Sequence, residues 1–179
     1  MWNEAQSDLR DASSSRAPRA IRSALAEILQ PADVLLGLDA GTAEQAISGI
    51  ARFVASRQDL SAFVVRAALA ARERLGSTAL GCGVAIPHAR LKGLSRPVAA
   101  FVRMDLPVSF DAPDGKPVSD MLVLLVPREA TEEHLIVLAE VAAMFSDKEF
   151  RDDLRACTDR DQVYARLTRT LFPATHSSD

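Results

Sequence analysis

The sequence predicts an α/β (α+β) fold in which helices cover both sides of a mixed sheet of about five strands. Amphipathic helical segments lie before residue 76 and after residue 131, and short runs rich in Val, Leu and Phe lie between them. One of these runs, 121–126, is apolar at every position, which is typical of a strand buried on both faces. Helices on either side of a block of strands must bury their apolar faces against the sheet.

The first half of the chain predicts three helices and one strand. Apolar residues recur at helical spacing over 21–29, where Pro31 ends the pattern, and again over 61–75. A longer helix begins after Thr42, which forms a capping-box pattern with Gln45. Alternation over 34–38 predicts the first strand.

The second half predicts the remaining strands and the closing helices. Strand-length runs lie at 84–86, 98–104, 108–110 and 121–126, separated by Pro and Gly. A helix then begins near Thr131, and shorter helices begin near Asp147 and Asp159.

Length and composition indicate one domain. The 179 residues fit a single unit, which we place at 21–172. The serine-rich segment 1–20 is predicted to be a flexible tail, and 173–179 a short C-terminal tail.

Charge and hydropathy argue against several classes of protein. The net charge is −3 with no block of basic residues, which disfavours a nucleic-acid binder. No apolar run approaches the roughly 18 residues of a membrane span. The N-terminus lacks the pattern of a signal peptide, so we expect a cytoplasmic protein without membrane insertion. Cys82 and Cys157 are too few for a disulfide scaffold and are expected to be reduced.

The three histidines differ in what surrounds them. His88 follows a strand that Pro87 halts, a position that projects a side chain at a sheet edge or over a crevice. A half-buried histidine bonded to a loop carbonyl is an equally weighted alternative. His134 lies in the first turn of a helix, where by itself it is best explained as a polar helix-start residue. His176 lies in the polar tail and is expected to be inert.

The sequence near His88 contains groups suited to a phosphoryl ligand. The segment GSTALGCG at 76–83 offers backbone that a ligand can approach and the hydroxyls of Ser77 and Thr78, although an ordinary turn explains it too. Arg72 and Arg90 flank it, and a guanidinium matches phosphate oxygens, although a solvated arginine is commoner. Nucleotide-binding motifs are absent, and two histidines without a carboxylate motif make a poor metal site. We therefore expect neither cofactor nor metal.

Four ordered segments together resemble the EIIA domains of the fructose/mannitol type in the bacterial phosphotransferase system, most closely the nitrogen-regulatory EIIA proteins. They are ARERLGST at 71–78, GVAIPHAR at 83–90, PVSFDAPDGKPV at 107–118, and LLVP at 124–127 leading to His134. The resemblance covers about residues 21–171 and implies the EIIA fold. The sequence departs from the family pattern at Ala79, where glycine is common, and at Cys82, where asparagine is common.

The resemblance also implies roles for individual residues. His88 is expected to be phosphorylated by an HPr-like carrier protein, on a nitrogen that the sequence does not specify. His134 corresponds to the second family histidine, and Arg72 to the arginine that neutralises phosphoryl charge. Further phosphate contacts are expected from Ser77, Thr78 and Arg90, with Arg90 on the rim of the carrier-docking face.

Three functions remain open at this point. A regulatory phosphocarrier would bind target proteins according to its phosphorylation state. A sugar-specific EIIA would instead pass phosphoryl to an EIIB domain for fructose or mannitol uptake. The sequence shows no fused EIIB, EIIC or HPr-like region, which favours the regulatory protein. A binding module without phosphoryl transfer is disfavoured because His88, His134 and Arg72 are all present.

Overall fold

The computed structural model describes residues 23–129 and 133–169, and within them one mixed sheet forms the centre of the protein. The tails predicted at 1–20 and 173–179 lie outside the described residues. The strands of the described part are β1 (Val34–Leu38), β2 (Ala79–Gly81), β3 (Val84–Ala85), β4 (His88–Leu91), β5 (Val98–Val108) and β6 (Val118–Pro127).

The sheet order is β1-β5-β6-β3-β2, and β4 also pairs with β6. The long central strands β5 and β6 are antiparallel, and β1 runs parallel to β5. On its other side β6 pairs in parallel first with β3, where Val84 lies opposite Asp120, and then with β4, where His88 lies opposite Leu124. Two short strands in succession therefore share one edge of β6.

The described helices surround this sheet. Their bounds are α1 (Ala24–Ile28), α2 (Ala43–Gln58), α3 (Ala62–Glu73), α4 (Glu133–Ser146), α5 (Lys148–Ala156) and α6 (Arg160–Thr168). The predicted starts of α2, α5 and α6 are confirmed, because the side chains of Thr42, Asp147 and Asp159 accept hydrogen bonds from backbone N–H groups of the first turn. None of these helices has the length and apolar character of a membrane span.

Two apolar cores, one on each face of the sheet, hold the layers together. One packs α2 and α3 against the sheet, and the other packs α1, α4, α5 and α6 against the opposite face. Alternate residues of β6 enter different cores: Val123 lies in the first and Leu122 and Leu124 in the second. This alternation explains the uninterrupted apolar run, and the prediction that 121–126 is a central buried strand is confirmed.

Candidate functional site

His88 is the first residue of β4, an edge strand at the point where the sheet meets α3. The sequence suggests that extended structure ends before Pro87; instead Pro87 interrupts it only briefly, because its carbonyl accepts the N–H of Leu124 at 2.9 Å and pairing with β6 resumes. Along β4 the side chains alternate: Ala89 is buried, whereas His88 is half-buried and Arg90 exposed. His88 and Arg90 therefore share one face of the strand.

The hydrogen bonds of the His88 ring specify its tautomer. Nδ1 lies 2.9 Å from the carbonyl oxygen of Ile86, which can only accept, so Nδ1 must carry the proton. In the neutral ring Nε2 then carries the lone pair, and Nε of Arg72 donates a hydrogen bond to it at 3.0 Å. The nitrogen with nucleophilic character in this arrangement is Nε2.

Arg72 reaches His88 from the last turn of α3. Its Nη1 donates to the carbonyl oxygen of Gly76 at 2.8 Å while its Nε contacts His88. One guanidinium thus touches both the imidazole and the glycine turn that follows the helix. A planar donor fork in this position is suited to phosphoryl oxygens near Nε2.

A cleft of about 490 Å³ opens around these side chains between α3 and α4. It is lined by Ala68, Ala71, Arg72, Leu75, His88, Ala89, Arg90, Leu124, Val126, Leu135 and Leu138. Leu75 is 86% exposed and Leu135 is 56% exposed, so large apolar side chains stand beside the charged centre. The cleft brings together three of the predicted site residues, His88, Arg72 and Arg90.

His134 is the second residue of α4, and the neighbouring Leu135 lines the cleft. Leu135 lies in the first turn of α4, so the N-terminal end of this helix borders the cleft, and the backbone N–H groups and dipole at a helix N-terminus favour anions. The side chain of His134 lies outside the described part of the structure, so its contact with a phosphoryl group stays a prediction.

Ser77 and Thr78 use their hydroxyls within the protein. The Ser77 hydroxyl donates to the carbonyl oxygen of Phe110 at 2.5 Å, and the Thr78 hydroxyl donates to Glu73 at 2.7 Å. Thr78 is only 5% exposed, and the cleft lining includes neither residue. Their phosphate-binding role stays a prediction, and the contacts observed are those of a braced loop.

Arg90 donates a hydrogen bond from Nη1 to the carbonyl oxygen of Arg128 at 3.4 Å and stands at the cleft rim, where its docking role stays a prediction.

Cys82, a departure from the family pattern, adopts a positive φ of 53°, and its N–H donates to Asp114 at 2.7 Å. An Asp side chain from another loop thus holds this turn.

Comparison with known proteins identifies the family of this chain. Residues 27–170 match the family described as "Phosphoenolpyruvate-dependent sugar phosphotransferase system, EIIA 2". The chain belongs to this EIIA family. The resemblance noted in the sequence is thereby confirmed.

Relatives of this EIIA chain include nitrogen regulatory proteins. One from Pseudomonas aeruginosa is 43% identical over 141 residues, covering 78% of this chain and 92% of the relative. The crystal structure of nitrogen regulatory protein IIA-Ntr from Neisseria meningitidis aligns with a TM-score of 0.77 and 43% identity, covering 80% of this chain and 99% of that one.

A more distant similarity supports the fold alone. Enzyme IIAMTL of Escherichia coli, solved in complex with phosphorylated enzyme IIBMTL, aligns with a TM-score of 0.64 and 22% identity, covering 78% of this chain and 96% of that one. The predicted mixed sheet with helices on both sides is therefore confirmed as an EIIA fold.

Proposed function

We propose that this protein is a phosphohistidine phosphocarrier of the nitrogen-related phosphotransferase system. It accepts a phosphoryl group from an HPr-like carrier protein on Nε2 of His88 and regulates target proteins by its phosphorylation state. The observation that carries this proposal is the ring geometry of His88, whose Nδ1 proton bonds the Ile86 carbonyl while Nε2 faces the guanidinium of Arg72. The match to nitrogen regulatory proteins supports the regulatory branch.

The transfer step follows from the tautomer. The lone pair of Nε2 attacks phosphorus, a bond from Nε2 to phosphorus forms, and the bond from phosphorus to the carrier's donor atom breaks with its electron pair leaving on the carrier. The proton on Nδ1 stays in place, so the ring gains positive charge. The carbonyl oxygen of Ile86, 2.9 Å from Nδ1, stabilises that charge.

Arg72 and the N-terminus of α4 stabilise the charge on the phosphoryl group. A phosphoryl group on Nε2 occupies the position at which Arg72 Nε now donates, so the guanidinium shifts its hydrogen bonds to phosphoryl oxygens. His134, at the start of α4 beside the cleft, donates to another oxygen in this proposal. Phosphoryl transfer consists largely of such positioning and charge stabilisation.

Regulation follows from the surroundings of the cleft. A phosphoryl group adds about two negative charges beside the exposed side chains of Leu75 and Leu135. An apolar target surface that packs on these leucines in the free protein meets a dianion in the phosphorylated protein. The two forms therefore select different partners.

The direct test is phosphorylation by a purified, phosphorylated HPr-like carrier, followed by intact mass under non-acidic conditions. The native chain is expected to gain one acid-labile phosphoryl group. His88→Ala is expected to gain none, and Arg72→Ala and His134→Ala to be phosphorylated more slowly. His176→Ala is the matched histidine control and is expected to behave as the native chain. No mass increment on a folded native chain would contradict the proposal.

A sugar-specific EIIA is the second candidate, because the family description itself refers to sugar phosphotransfer. In that case phosphoryl passes onward from His88 to an EIIB domain. Mixing the phosphorylated protein with fructose- and mannitol-type EIIB domains distinguishes the two functions: rapid, complete transfer to one EIIB favours sugar uptake, and retention of the label favours regulation.

A further inference from the structure

The contacts around His88 form a closed cycle that includes an acidic residue outside the cleft lining. From His88, Nδ1 bonds the carbonyl oxygen of Ile86 at 2.9 Å, and the N–H of Ile86 donates to the carbonyl oxygen of Thr78 at 3.0 Å. The N–H and hydroxyl of Thr78 donate to the two carboxylate oxygens of Glu73 at 3.0 and 2.7 Å. Glu73 is bonded in the chain to Arg72, whose Nε returns to His88.

The two halves of this cycle belong to different parts of the fold. Arg72 and Glu73 lie in the last turn of α3, whereas Ile86 directly follows β3 and His88 begins β4, the two short strands along one edge of β6. Two side-chain contacts join the halves of the cycle: one from Arg72 to His88, and one from Glu73 to Thr78. If the second is lost, the position of the guanidinium relative to Nε2 depends on its contacts with His88 and Gly76 and on the packing of α3 against β4, without the anchor at Thr78.

The contact between Glu73 and Thr78 can fix the position of Thr78 relative to the end of α3. Thr78 is buried, so its N–H and hydroxyl require partners inside the protein, and both oxygens of the carboxylate supply them. The turn between these residues contains Gly76, whose φ of 144° is a backbone conformation that other residues rarely adopt. The carboxylate spans this turn and ties the last turn of α3 to Thr78.

We propose that Glu73 is a positioning residue for phosphoryl transfer, an inference that rests on the proposed function. It acts through Thr78 and Ile86 to hold the His88 ring against Arg72, with the proton on Nδ1 and the lone pair on Nε2. Glu73 does not touch the phosphoryl group or exchange protons with it. Its two carboxylate oxygens stay directed at Thr78 throughout the transfer.

Removing the Glu73 carboxylate is expected to slow phosphoryl transfer without weakening carrier binding. In Glu73→Ala the kcat of phosphoryl transfer falls by between about tenfold and a hundredfold, the range expected for small misplacements of reacting groups. The KM for the carrier stays within about twofold, because Glu73 does not line the cleft. Thr78→Val retains the backbone contact to Glu73 and loses only the hydroxyl contact, so its kcat falls less than that of Glu73→Ala.

Conservative variants separate positioning from acid–base or charge effects. In Glu73→Gln the amide oxygen accepts the N–H of Thr78 and the amide nitrogen donates to the Thr78 hydroxyl, which can also accept. Glu73→Gln therefore restores kcat to within about twofold of the native value. Glu44→Ala, which removes an exposed carboxylate at the start of α2, is the matched control for charge and leaves kcat unchanged.

Nitrogen-15 NMR of the unphosphorylated protein tests the same idea without any transfer. In the native protein the His88 ring is expected to show one tautomer, with Nδ1 protonated, and the Nε–H of Arg72 to exchange slowly with solvent. Glu73→Ala is expected to give mixed ring signals and fast exchange at Arg72, and Glu73→Gln the native pattern. Thermal unfolding checks that each variant is folded.

The outcomes separate this inference from the proposed function. A native kcat and native NMR signals in Glu73→Ala overturn the positioning role even if the native protein is phosphorylated. A loss in Glu73→Gln as large as in Glu73→Ala also overturns it, because the carboxylate charge would then be what matters. If the native protein accepts no phosphoryl group, the proposed function fails, and the NMR comparison alone still decides whether Glu73 positions His88.

Discussion

Arg103 and Asp120 face each other across the two central strands, and Arg103 Nε donates to Asp120 Oδ1 at 2.6 Å. Asp120 is 1% exposed, so this is a buried ion pair. The other nitrogens of the same guanidinium donate to the carbonyl oxygens of Leu154 and Cys157 at 2.8 and 2.7 Å. Arg103 therefore joins the centre of the sheet to the end of α5.

Removing Arg103 is expected to destabilise the fold strongly. Arg103→Ala leaves the buried carboxylate of Asp120 without its main partner, and we expect a loss of about 3 kcal/mol in the free energy of unfolding. Urea denaturation at pH 7 measures it. Lys148→Ala breaks the exposed pair with Asp152 and serves as the control, with an expected loss below about 1 kcal/mol. Equal losses in the two variants would contradict this prediction.

The elements that the sequence predicts well are those whose pattern follows from burial alone. The run 121–126 is apolar throughout because β6 faces a core on each side. The sequence predicts neither β2 nor β4, because β2 has only three residues and β4 begins directly after a proline. The run 108–110, expected as a separate strand, mainly follows the end of β5, which extends to Val108.

The sequence predicts which residues form the site, but it does not predict how their side chains are arranged. Glycine, serine, histidine and arginine near residue 88 indicate phosphoryl chemistry by type. Spacing alone does not place Arg72 against Nε2 of His88, because that contact depends on α3 packing against β4. The sequence also gives no sign of a role for Glu73, because a glutamate at the end of a helix is usually exposed to solvent. Only its bonds to Thr78 in the structure indicate one.

Asp114 is expected to have a pKa below that of an ordinary aspartate. The backbone N–H groups of Cys82 and Lys116 donate to its carboxylate at 2.7 and 3.1 Å and hold the pKa of Asp114 below its ordinary value of 3.8. Because the folded pKa is the lower one, the stabilisation is fully present above pH 3.8 and is lost as the pH falls through the folded pKa. Carbon-13 NMR titration of the carboxyl measures this directly.

Asp114→Asn tests the same contacts by stability. We expect it to lower the free energy of unfolding at pH 7, with the difference from the native chain shrinking in acid as native Asp114 becomes protonated. A difference that stays constant between pH 7 and pH 2 would show that charge on this carboxyl contributes nothing.

Leu75 is expected to take part in carrier docking. It is 86% exposed at the edge of the His88 cleft, so a glutamate there costs the fold little but places a charge on an apolar contact surface. We expect Leu75→Glu to raise the KM for the HPr-like carrier by about tenfold or more, as for loss of an apolar anchor at an interface. Leu106→Glu, at a 70% exposed leucine of β5 outside the cleft, is the matched control. Equal KM values for the two variants would place the docking surface elsewhere.

Arg90 is expected to contribute to docking mainly through its charge. It stands exposed on the same face of β4 as His88, where a cation attracts an anionic phosphorylated carrier. Arg90→Ala is therefore expected to raise the KM for the carrier several-fold and to flatten its dependence on salt, while the free energy of unfolding changes by no more than about 0.5 kcal/mol. Transfer kinetics at low and high ionic strength, measured beside urea denaturation, separate the two effects. Unchanged kinetics at both salt concentrations would exclude Arg90 from the docking surface, and a large loss of stability would assign it to the fold instead.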